Sequence, residues 1–137
     1  MSNNQRAQLR ATFLNAWEKQ KKQQPLSALE QSIVTLIAEH PEYITDIENT
    51  DEALETDYAL DDNPFLHLSL HLSLQDQIQT NRPAGIQAIY HNLLKKYQDP
   101  HEAQHRMMDV LAHLLLDAQK ENKMPDESSY LKSLCEL

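Results

Sequence analysis

The chain has 137 residues, a formal net charge of −9, and 40% apolar and 24% charged residues. That length and composition suit one folded domain and exclude a chain disordered throughout. A single glycine, Gly85, argues against phosphate-cradling glycine loops and against β-folds built from tight hairpins.

No apolar run approaches the roughly 20 residues of a membrane span, and the first residues lack the apolar core of a signal peptide. The one cysteine, Cys135, allows neither an internal disulfide nor a thiolate-based zinc site. A cytosolic protein with no membrane association is therefore expected, with Cys135 packed in the last helix. Pro25 to Asp62 holds eleven of the 21 acidic residues and none of the 12 basic ones. Nucleic acid is not an expected partner, because neutralising phosphates needs a basic face and the only basic cluster is Lys19, Lys21 and Lys22. The acidic run reads as a solvated face or, alternatively, as a docking surface for a basic protein partner.

In chain order, Arg6 to about Lys22 places Leu9, Phe13, Ala16 and Trp17 at helical spacing, and Pro25 closes that helix. Ser27 to Glu30, SALE, is a capping box that opens a second helix to His40, where Pro41 stops it. The acidic stretch that follows, to Asn63, reads as one or two helical turns with loops. Leu66, Leu68, Leu70, Leu72 and Leu74 alternate with His and Ser, which is a strand's period of two. A lone strand would leave its backbone groups unpaired, and no second strand is legible. Asn63 and Pro64 also form an N-cap followed by proline at the first helical position, so the stretch is expected to be helical to Ile78 and the most buried helix. Arg82 to Tyr97 is expected as a helix with Pro83 at its first position. Asp99 and Pro100 open a long helix to about Glu121, and Pro125 opens a last one through Tyr130, Leu131 and Leu134. The expected fold is all-α: a single-domain irregular helical bundle of five or six main helices over residues 1–137.

Projected at about 100° per residue, His67 and His71 fall between two leucine flanks on the inward face of their helix. His40 falls on the face formed by Leu29, Ile33, Leu36 and Ile37. His101 and His105 fall on the inward face of the long helix, with Asp109 at its edge, whereas His91 and His113 face water. Pairs four residues apart stand about 5–6 Å from each other, close enough to share one ion. The candidate metal ligands are therefore His40, His67, His71, His101, His105 and Asp109, with Glu39 and Glu102 as nearby carboxylates. An imidazole-rich set without thiolates suits zinc, iron, nickel or copper rather than magnesium or calcium. Without an ion, the same histidines would form a polar core network. His101 to His105, HEAQH, also matches the zincin pattern. Its histidines open a helix rather than lying within one, and no edge strand is expected to hold a substrate, so a protease is not favoured.

FLNAWEKQ, PLSALEQ with AEHPEY, NPFLHLSLHLSLQDQI, RPAGIQAIY, AQHRMMDVLAHLLLDAQ and PDESSYLKSL together cover nearly the whole chain. In these segments it resembles an uncharacterised bacterial family, domain of unknown function 1841. The resemblance implies a small soluble bacterial protein and supplies no activity, substrate or metal. Two functions follow from the residues. One is a metal-binding helical protein with hydrolytic or redox chemistry. The other is an interaction module with an acidic docking face and a metal-free histidine network.

Overall fold

The computed structural model describes residues 3–48 and 63–137. Among them are seven α-helices and no strand: α1 Asn3–Lys21, α2 Ala28–Glu39, α3 Ile44–Glu48, α4 Pro64–Thr80, α5 Ile86–Tyr97, α6 Pro100–Lys120 and α7 Glu127–Cys135. A single 3-10 turn, Pro41–Tyr43, precedes α3. The all-α expectation holds. Most of the acidic stretch after α3 lies outside the described residues, including Asp51, Glu52 and Glu55. The fold divides into two compact units, Met1–Ser69 and Leu70–Leu137, and α4 runs through the division.

In the first unit, α2 starts where the capping box places it. The Ser27 hydroxyl accepts from the Glu30 backbone N–H at 3.2 Å, and the Glu30 carboxylate accepts from the Ser27 N–H at 2.9 Å. This satisfies two of the donors that every helix start leaves open. Ile33, Val34, Leu36 and Ile37 of α2 are buried, as are Phe13, Leu14 and Ala16 of α1. Apart from the single methyl of Ala16, each of these side chains contributes roughly 1.5–3 kcal/mol by leaving water. Two expected core positions differ. Leu9 and Leu29 are exposed, whereas Arg10 is buried with its guanidinium 5.1 Å from the centre of the Phe65 ring. A cation over an aromatic face keeps electrostatic stabilisation inside the core while its long stem packs as an apolar chain.

In the second unit, Leu74, Ile86, Leu93, Ala103, Met107, Met108, Leu111, Tyr130 and Leu134 form one core cluster. Leu70 and Ile78 pack beside Leu74, the flank that a helical projection assigns to them. Helix α5 begins at Ile86, not at the proline as expected. Gly85, at φ +104, cannot continue a right-handed helix. Instead the Asn81 side chain accepts from the N–H groups of Gly85 and Gln87 at 3.1 and 3.2 Å and so caps the turn. Cys135 lies on the last helix but is exposed. It follows the buried Leu134 by one residue, which turns it about 100° away from the core.

Candidate metal centre

Helix α4 carries two of the candidate histidines, and its start explains why it is a helix. The Asn63 carboxamide oxygen accepts from the N–H groups of Phe65 and Leu66 at 3.0 and 3.1 Å. The His67 N–H reaches the Asn63 carbonyl at 3.1 Å. With Pro64 needing no donor partner, this is a complete N-terminal cap. His67 and His71 are four residues apart on the resulting helix, so their side chains leave the same face one turn from each other.

In the first unit, His67 meets His40. His40 is the C-terminal cap of α2, held there because Pro41 disfavours helical backbone before it and begins the 3-10 turn. The ring is 2% exposed. Its Nδ1 lies 2.7 Å from the Leu36 carbonyl. A carbonyl only accepts, so Nδ1 donates this hydrogen bond and Nε2 is the nitrogen turned towards His67. His40 Nε2 is 3.2 Å from His67 Nε2. Tyr43 stacks on His40 with ring centres 5.4 Å apart and planes 7° from parallel, and it stands edge-on to His67 at 5.6 Å. A carbonyl that orients one ring nitrogen while the other faces a neighbour is the usual outer support of a metal-bound imidazole.

In the second unit, His71 is fully buried and its Nε2 lies 3.1 Å from His105 Nε2. The His101 ring is 4.0 Å from that of His105 and 5.5 Å from that of His71, centre to centre. His101 and His105 are positioned by the Asp99 cap, whose carboxylate accepts from the His101 N–H at 3.0 Å, with Pro100 opening the helix behind it.

The five histidines that project inward in the sequence are buried or half-buried, and His91 and His113 are exposed. His40, His67, His71 and His105 can each offer a ring nitrogen to a metal ion. His101 touches this set through its ring but is not among those four. The candidate carboxylates do not join them. Asp109 and Glu39 are exposed, and Glu102 is engaged with Arg106 Nε at 2.8 Å. Arg10 and Tyr43 went unrecognised in the sequence. Arginine is ordinarily a surface residue, and Tyr43 is brought to His40 by a turn that no periodicity marks.

These features define a class: an all-α, histidine-rich protein whose inward imidazoles have the chemistry to hold a metal. The chain belongs to the family described as Domain of unknown function (DUF1841), whose sequence profile matches residues 5–136. No curated protein and no solved structure matches the chain.

Proposed function

We propose that the protein binds transition metal through its inward-facing histidines, with His40 and His67 as one pair and His71 and His105 as another. The observation that carries this reading is the spacing of the facing nitrogens, 3.2 Å for His40 with His67 and 3.1 Å for His71 with His105. A tetrahedral ion with bonds of about 2.05 Å holds its ligand nitrogens about 3.3 Å apart, and a square-planar ion holds adjacent ones about 2.9 Å apart. Both spacings fall between these values. Four neutral imidazoles favour zinc, iron, nickel or copper over magnesium or calcium.

A second reading rests on the same distances, because an imidazole N–H donating to an imidazole nitrogen also spans about 3 Å. In that case the histidines are core hydrogen-bonders and the protein acts through its surface, with the acidic residues from Pro25 to Asp62 as the docking face.

Metal analysis of untagged protein separates the two. On the metal reading, zinc, iron, nickel or copper co-purifies, or added ion raises the melting midpoint, as a ligand of the folded state alone must. His67→Ala with His71→Ala then abolishes uptake, while His91→Ala, on the exposed side of α5, leaves it intact. No bound ion and no midpoint shift with any of these metals would establish the hydrogen-bonded network instead.

A further inference from the structure

The second unit brings three imidazoles together: His71 of α4 with His101 and His105 of α6. Their ring centres are 4.9 Å apart for His71 with His105, 5.5 Å for His71 with His101 and 4.0 Å for His101 with His105. Resting on the metal-binding reading above, we propose that His101 is the third ligand of an ion held by His71 and His105, and that this ion keeps a position for water or a small anion.

His101 and His105 are separated by one turn of α6, so both rings leave the same face of that helix and can reach one ion. An imidazole bound at about 2.05 Å sets its ring centre roughly 3.2 Å from the ion, so two bound rings stand about 4.5 Å apart at right angles and about 5.2 Å apart in a tetrahedron. The spacing of 4.9 Å lies inside that range, and that of 5.5 Å lies just beyond it. The rings of His101 and His105, at 4.0 Å, need to part by roughly half an ångström, a small rotation within their staggered wells. The ring planes are tilted from one another by 35°, 51° and 58°, so none of the three pairs is stacked flat.

The backbone holds His101 in place. Its N–H donates to the Asp99 carboxylate at 3.0 Å, and Pro100 before it has a fixed φ. His71 is fully buried, whereas His101 and His105 are half-buried, so the set has an inner side closed by the core and an outer side that solvent reaches. Structural zinc sites are closed by four protein ligands, and reactive ones have three with the fourth position given to water or substrate. An ion on three neutral imidazoles keeps its full positive charge, so the small ligand it takes most readily is an anion.

The test uses the full chain loaded with cobalt, a coloured stand-in for zinc at nitrogen sites. Azide should shift the visible absorption of the wild-type complex. His101→Phe keeps a ring in the same space and removes both nitrogens. It should change the visible spectrum and weaken cobalt binding roughly tenfold or more, since losing even the outer support of a ligand costs that much. His91→Phe, on the exposed side of α5, should leave both unchanged. His101→Gln serves in place of the phenylalanine variant if that one does not fold. The wild-type spectrum in a folded His101 variant, with or without weaker binding, would overturn His101 as a ligand while leaving His71 and His105 standing. An unchanged spectrum at saturating azide would overturn the position for a small anion. Absence of metal uptake by the wild-type chain would overturn the metal-binding reading as well.

Discussion

Histidines of one residue type separate into two environments along this chain. His40 and His71 are buried, His67, His101 and His105 are half-buried, and His91 and His113 are exposed. The division follows from helical phase alone, so it was legible in the sequence. The tautomer of His40 was not, because it depends on the Leu36 carbonyl at the end of α2. Tyr130 gives a residue-scale expectation of a different kind. Its side chain is buried, its hydroxyl donates to the Gln77 side-chain oxygen at 2.7 Å, and burial pushes its pKa from 10.0 up to about 12. The folded state thus favours the protonated form. That contribution to stability is complete below pH 10 and is lost as the pH rises from about 10 towards 12. Tyr130→Phe should flatten this alkaline decline and cost about 1 kcal/mol at neutral pH through the lost hydrogen bond. Urea denaturation at pH 7 and pH 11 measures both. An unchanged alkaline slope in the variant would count against Tyr130 as its source.

At the scale of elements, caps decided more than hydrophobic periodicity did. The leucine alternation from Leu66 to Leu74 has a strand's period, yet the segment is helical because Asn63 and Pro64 start it as a helix. The α2 capping box offers a direct check. Ser27→Ala should destabilise the fold by about 1 kcal/mol. Glu30, the other half of the box, has its carboxyl drawn down to about 2, first by the Lys19 ammonium at 2.8 Å and then by the Ser27 N–H. Its contribution is present above the ordinary value of 4.5 and is lost as the pH falls from there towards about 2. Glu30→Gln should therefore flatten stability between pH 4.5 and pH 2 relative to wild type. Thermal melts followed by circular dichroism at pH 7, 4 and 3 would show it, and parallel acid profiles for the two proteins would refute it. The start of α5 shows the limit of such reading. Pro83 resembled a first helical residue, but Gly85 at positive φ and the Asn81 side chain move the start to Ile86.

For the whole molecule, the uneven charge is partly answered within the first unit. Lys19 pairs with Glu30 at 2.8 Å and Lys21 approaches Glu48 at 3.9 Å, so the basic end of α1 meets part of the acidic run. In the second unit the core is set by Met107, Leu74 and Leu134, all fully buried. Met107→Ala should cost roughly 2–5 kcal/mol, the usual penalty for emptying such a position. A chemical-denaturation midpoint within error of wild type would show that the site collapses to fill the space.

Composition, one glycine and the cap signals were enough to determine an all-α chain, most helix ends and which histidines turn inward, because these depend on backbone freedom and on side chains within a few positions of each other. Only tertiary structure decided which inward groups meet. His40 approaches His67 across 27 positions and His71 approaches His105 across 34, whereas Asp109, at the edge of the inward face in projection, stays exposed in a groove. The same holds for Arg10, whose guanidinium lies 5.1 Å from the centre of the Phe65 ring. Helical phase states the direction in which a side chain leaves its own helix. The packing of other elements supplies what stands opposite it, and local sequence carries no record of that distance.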